Sequence, residues 1–306
     1  MDGPAQRGDP GAGAHYRHVA EGIGTISELG NTHRLHSWPK FPMNIARAAL
    51  SIALAMAFVH FRAAAEEPQR AIALSQLRSG KEFISAETRA QQDDLAVNPG
   101  MLWVEQGEKL WAEGAGPAGQ SCGSCHGEPS SLAGVATRYP AYDASAQKLL
   151  NLEGRIQRCR VEHQMASPFA YESQELLALT ALVAHQSRGM PLHVDIGGPA
   201  RGFFEAGRTL YYAQQGQLNI SCAQCHEQSW GKRLRTERIS QGHPNGFPAY
   251  RLEWQTMGSL HRRLRACFQG VRAEPFEAGS PELVAIELYL AWRAQGLAIE
   301  TPAVRR

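Results

Sequence analysis

Apolar residues recur at helical spacing near the end of each half of the chain. Leu176, Leu177, Leu179, Leu182 and Val183 fall in the window 173–186, and Leu283, Val284, Ile286, Leu288 and Leu290 in 281–294. Both windows predict helices laid against a core, and Pro281 after Ser280 suits a helix start. Further helices are predicted ahead of Cys122 and Cys222, running into Cys159 and Cys267, and over 71–83 within a mostly polar lead-in at 68–100. No window alternates strictly enough to predict a strand, so the pattern reads as all-α.

One more apolar run, 48–61, follows Arg47 and is broken near its end by His60 and then Arg62. At about 14 residues it is too short for a stable membrane span. Together with Ala63, Ala64 and Ala65 before Glu66 it reads as a signal peptide at 43–65, with Met43 as its start and export to the periplasm implied. Residues 1–42, rich in Gly, Pro and polar side chains, read as a disordered extension or an over-called start. The net charge of +2 gives no nucleic-acid footprint.

The chemistry is announced by two Cys-x-x-Cys-His motifs 100 residues apart, Cys122-Gly-Ser-Cys125-His126 and Cys222-Ala-Gln-Cys225-His226. Each reads as a covalent haem c site, with two thioether cysteines and a proximal histidine. Structural zinc would want more Cys or His pairs at ligand spacing, and a redox dithiol has no need of the adjoining His.

The flanks of the motifs repeat as well. Gly107 and Gly207 each precede their motif by 15 residues, and Tyr139-Pro-Ala-Tyr142 matches Phe247-Pro-Ala-Tyr250. Cys159 and Cys267, the two remaining cysteines, each follow that second element at the same distance, 19 residues past Pro140 and Pro248. Such self-similarity predicts an internal duplication: a first cytochrome c-like haem domain with its lead-in at 66–190, a Pro- and Gly-bearing linker at 191–199, and a second haem domain at 200–306. The equivalent placing of Cys159 and Cys267 favours one axial thiolate per haem over a disulfide between them. Rival distal ligands are His163, Met165 and His185 in the first half, and His243, Met257 and His261 in the second. The second half carries about eight extra residues around 239–246, which read as a wall of a substrate channel.

With these motifs, and with the run Ile239-Ser-Gln-Gly-His-Pro-Asn-Gly-Phe-Pro-Ala-Tyr-Arg251 and Arg272-Ala-Glu-Pro-Phe276, the chain resembles the dihaem SoxA family over about residues 70–303. The resemblance implies two haem c groups with axial pairs His126 with Cys159 and His226 with Cys267. It implies that the second haem is catalytic, with Cys267 as a persulfide-bearing ligand and Arg263 as the substrate-binding arginine. It further implies an L-cysteine S-thiosulfotransferase, which joins thiosulfate to a cysteine of the SoxYZ carrier and passes two electrons to a SoxX-type monohaem cytochrome c.

The residues suit that chemistry. Thiosulfate is a dianion, and Arg263 lies one helical turn before Cys267, placed to grip a sulfonate by a charge-assisted fork. Arg262, Arg265 and the run Lys232, Arg233, Arg235 and Arg238 read more simply as solvated faces, and Trp230 and Trp254 as haem-packing or core residues. Arg155 holds in the first half the place that Arg263 holds in the second. Other readings are a dihaem electron carrier, which gains little from reactive thiols, and a thiosulfate dehydrogenase forming tetrathionate, which needs no carrier. A dihaem peroxidase would require an open distal site.

Overall fold

Each half is organised around one close pair of helices. In the computed structural model the described residues are 68–306, so the expected extension at 1–42 and signal peptide at 43–65 lie outside them. In chain order the helices are α1 (Ala86–Asp93), α2 (Met101–Ala112), α3 (Cys122–His126), α4 (Leu152–Glu162), α5 (Gln174–His185), α6 (Ala200–Tyr212), α7 (Cys222–His226), α8 (Leu260–Gly270) and α9 (Pro281–Arg293). α2 packs on α5, and α6 on α9. The first glycine of each repeat allows this. A Cβ on Gly107 would run into the Ala178 carbonyl of α5, and one on Gly207 into the Ala285 carbonyl of α9. α5 and α9 start where expected, with Ser173 and Ser280 side chains accepting from Leu176 and Leu283 backbone N–H groups at 3.3 Å. Residues 176–184 of α5 are all buried.

The strands are a correction to the all-α reading. β1 (Ala141–Asp143) pairs antiparallel with β2 (Lys148–Leu150), β3 (Arg233–Leu234) with β4 (Glu237–Arg238), and β5 (Ala249–Arg251) with β6 (Thr256–Gly258). β7 (Ala303–Arg305) adds parallel to β5. Strands of two or three residues are too short to show a period of two. The lead-in is a second correction. Instead of one helix over 71–83 there are two 3₁₀ turns, Leu74–Gln76 and Gly80–Phe83, and then α1. Ser79 forms a capping box with Glu82, and Ser85 caps α1, so the polar caps divide the segment.

The two cores trade residues. Leu149 of β2 belongs to the cluster built on α6, α8 and α9, while Met257 of β6 belongs to the one built on α2 and α5. These positions are 108 residues apart, as are Cys159 and Cys267. Polar groups join the same seam. Asn151 Nδ2 donates to Tyr171 Oη at 2.8 Å and to Glu287 at 3.1 Å. His261 Nε2 lies 3.0 Å from the Glu287 carboxylate and its ring stacks on Tyr171. The first turns of α4 and α8, the helices carrying the lone cysteines, are thereby fixed to α9.

Glu153, buried in that seam, has its carboxyl pushed up to about 8, first by burial and then by the Glu287 charge. Folded chains therefore hold a proton that unfolded ones have lost, and this group's contribution to stability falls as pH rises from about 4.5 through about 8. Glu153→Gln should flatten that slope, as read by urea midpoints of the haem-loaded protein at pH 5 and pH 8; an unchanged slope would contradict the assignment. Overpacking Gly207→Ala should cost about 1–3 kcal/mol in the same assay. Gly202→Ala, on the same helix with open space around it, should be neutral or slightly stabilising.

Candidate functional site

The cysteines gather into two sites. α3 and α7 are single turns, opened by Ser121 and Ser221, whose side chains accept from Ser124 and Gln224 N–H groups at 3.0 and 3.3 Å. Each turn holds both thiols and the histidine of its motif. The lone cysteines arrive on α4 and α8. Burial raises the Cys122 thiol, and the nearby Cys159 charge raises it further. Cys222 is pushed up to about 12 by burial and then by Cys267, and Cys225 moves the same way for the same two reasons. Each lone cysteine thus faces the motif of its own half, and all six cysteines are free.

The residues fit a haem at each place. Among the described residues no group of three or more His, Cys, Asp or Glu is gathered as an ion site would gather them. Each motif instead presents two free thiols and a histidine on one helical turn, the donor set that covalent attachment of haem c uses. His226 gives a second test. Its Nδ1 donates to the Ser240 carbonyl at 2.8 Å, so Nδ1 carries the proton and Nε2 keeps a free lone pair, the usual arrangement of a metal-bound imidazole. Burial lowers its pKa to about 4, so the ring is neutral, as a ligand must be.

The loop at 239–246, read from the sequence as a wall of a substrate channel, packs against the His226 imidazole. Gly242, at φ +72°, lies so close that a Cβ there would sit 2.8 Å from His226 Cγ. The Gln241 side-chain amide holds the loop in turn: its Nε2 donates to the Gln76 carbonyl at 2.9 Å, and its Oε1 accepts from Arg78 N at 2.8 Å. Arg293 Nη1 donates to the Gln241 carbonyl at 3.1 Å and pairs through Nε with Glu227, beside His226, at 3.2 Å. Both side chains of that ion pair are buried. His126, by contrast, is exposed; its ring rests against Trp111, whose Nε1 donates to the Gly127 carbonyl at 2.8 Å.

Known proteins resemble this chain in sequence and in fold. The SoxA/TsdA cytochrome c domain family matches residues 106–192. The L-cysteine S-thiosulfotransferase subunit SoxA of Pseudaminobacter salicylatoxidans is 46% identical over 230 residues, 74% of this chain and 80% of that protein. The Rhodovulum sulfidophilum subunit of the same name is 42% identical, over 75% of this chain and 80% of that protein. The crystal structure of SoxXA from P. pantotrophus matches with a TM-score of 0.73 at 38% identity, covering 75% of this chain and 87% of that one. The chain belongs to the SoxA family. It is a cytochrome c, and covalently bound haem c goes with that membership.

Four of the rival ligands in this SoxA-family chain are engaged elsewhere, and Met165 and His163 lie on the surface. Met165 is 69% exposed, and Met257 is buried in the core of the other half. His243 Nε2 meets Gln241 Oε1 at 3.0 Å, and His185 Nδ1 the Thr301 carbonyl at 3.3 Å. His261 Nδ1 accepts from Gly279 N at 3.0 Å, and His163 caps α4 on the exposed surface. Arg263, half-buried on α8, makes no side-chain hydrogen bond or ion pair among the described residues, and its charge reaches His226. Arg155, its counterpart, is ion-paired with Asp143 at 2.9 Å. Arg262 lies over Trp254, 4.2 Å from the ring centroid, and Arg265 reaches the exposed Glu277 at 4.0 Å. Arg233, Arg235 and Arg238 sit on or beside the exposed β3–β4 hairpin.

Gly242→Ala should displace the imidazole and its carbonyl partner. Electron paramagnetic resonance of the haem-loaded protein is expected to show one low-spin signal altered and the other untouched; two altered signals, or none, would contradict the assignment of this loop to His226.

Proposed function

We propose that the chain carries two haem c groups and is the catalytic subunit of a periplasmic L-cysteine S-thiosulfotransferase. Cys122 and Cys125 would hold one haem, with His126 and Cys159 on its iron; Cys222 and Cys225 would hold the other, with His226 and Cys267. The repeated order of helix, motif, hairpin, cysteine helix and closing helix supports an internal duplication, with units at 66–190 and 200–306 joined by 191–199. Among the described residues no helix is long and apolar enough to cross a membrane.

The reaction joins a thiosulfate sulfur to the thiol sulfur of a SoxYZ cysteine. One S–S bond forms, one proton leaves the thiol, and two electrons pass to a SoxX-type cytochrome. When bound, haem c supplies the one-electron acceptor for that oxidation. The chain's own part is to hold sulfur and bind anion. Cys267 is the sulfur-bearing group, a soft donor that also reacts as a nucleophile. Arg263 receives the sulfonate end of thiosulfate by paired N–H donors. The observation that carries the reading is the contrast between the two arginines: Arg263 is free beside its cysteine, whereas Arg155 is neutralised. That contrast makes the second site the one able to take a dianion.

Arg263→Met is expected to lower the specificity constant for thiosulfate about ten- to hundredfold, the loss of one charged hydrogen bond of about 1.5–3 kcal/mol, with the visible spectrum preserved. Cys267→Ser should abolish conjugation to the carrier, and Cys159→Ser should leave most of it. A lethal Cys159 change with a mild Cys267 change would reverse the roles of the two haems, and tetrathionate formed without carrier would replace the reaction.

A further inference from the structure

The 108-residue offset that relates Cys159 to Cys267 also relates Arg155 to Arg263 and Asp143 to Arg251. The hairpins keep this register, since Asp143 pairs with Lys148 and Arg251 with Thr256. In the first half the two positions meet. Arg155 Nη1 lies 2.9 Å from one Asp143 oxygen, and Arg158 Nη1 2.6 Å from the other. Ser145 and the Ala146 backbone also bond that carboxylate, which is held well below the usual range. In the second half the acid has become Arg251, and the position of Arg158 has become Ala266. An Arg–Asp pair in one half is an Arg–Arg pair in the other.

Arg251 is placed for a ligand rather than for a protein partner. Strand alternation sends Tyr250 towards Trp103, with ring centroids 5.8 Å apart, and Arg251 to the opposite face. There its guanidinium lies over Trp254, 4.9 Å from the centroid, on the same ring that carries Arg262 of α8. The side chain is only 12% exposed, yet its one acidic neighbour among the described residues, the half-exposed Glu253, is a distant 3.5 Å away. Its buried Nε has no partner among the described residues. Burial and the Arg263 charge lower its pKa, while Glu253 and the Cys267 charge oppose them, in keeping with a position beside both Arg263 and Cys267. Two under-compensated guanidinium groups beside a cysteine call for a compact anion of high charge.

We propose that Arg251 and Arg263 together form the thiosulfate clamp at Cys267, and that the exchange of acid for arginine at position 251 is what opens the second site, and not the first, to the dianion. The proposal rests on the reading of Cys267 as the reacting centre. It adds Arg251 as a substrate-binding residue and a selector between two otherwise similar sites.

The test is calorimetric titration of the oxidised haem-loaded protein with sodium thiosulfate, with haem content, visible spectrum and midpoint potentials measured alongside. Arg251→Met should weaken thiosulfate binding ten- to hundredfold. Arg251→Asp, which transplants the first half's ion pair, should remove binding within the range of the assay. Arg251→Lys, which keeps the charge, should fall within about fivefold of the parent and separates loss of charge from loss of packing. If Arg263→Met weakens binding while the Arg251 variants bind as the parent does, the clamp is overturned and the thiosulfotransferase reading stands. If the Arg251 variants shift a midpoint potential and leave the affinity unchanged, the anion at Arg251 is a haem propionate and the proposal is again overturned. A parent protein that neither binds thiosulfate nor conjugates it to carrier overturns both readings.

Discussion

The approach of two helices to within backbone contact is the constraint on which both sites depend. At Gly107 and Gly207 the chain has no side chain, and the Ala178 and Ala285 carbonyls occupy the space. A short loop then separates α2 from α3 and α6 from α7, closed by the bridges between Ala115 and Gln120 and between Gln215 and Ile220. The spacing of 15 residues from glycine to first motif cysteine is thus a fixed arm. It carries the thiols and the histidine to a set distance from the closing helix, against which the cysteine helix also leans.

From this shared frame the two sites diverge through their surroundings. The second histidine is held from behind by a carbonyl, and the loop supplying it is itself held by the lead-in and by Arg293. A buried ion pair of that kind adds little net stability, but removing one partner leaves a charge stranded; it serves to fix the loop's position. The first histidine has an indole for its neighbour and open surface beyond. One site is built for an exact orientation of its ligand, and the other is built closer to solvent.

Much of this was legible in the sequence, because its strongest signals are local. Cys-x-x-Cys-His occupies one helical turn, and the 173–186 and 281–294 windows matched α5 and α9 to within a residue or two. The offset between halves already aligned the lone cysteines. What escaped depends on contacts distant in sequence. Two- and three-residue strands leave no periodicity. The polar caps at Ser79 and Ser85 outweighed a weak helical pattern. The loop at 239–246 could be seen as an insertion, but its contact with His226 depends on Gln76, Arg78 and Arg293, which hold it in place. Arg251 stood in plain view as the end of a quoted motif, and the alignment that gave Arg155 as the partner of Arg263 also gave Asp143 as the partner of Arg251. Its meaning emerges only once Asp143 and Arg155 are seen to touch.

The exchange of Leu149 and Met257 between the two cores bears on what the chain is free to lose. Neither half has a complete interior by itself, since each fills a place in the other's. On the proposed reading of one haem in each half, the first cofactor could be lost more readily than the polypeptide around it. Deleting that polypeptide would open a hole beneath α8 and α9, whereas losing only a porphyrin would leave Leu149 in its socket. Drift that erased one cofactor from such a chain would still keep its shell as a buttress for the other half.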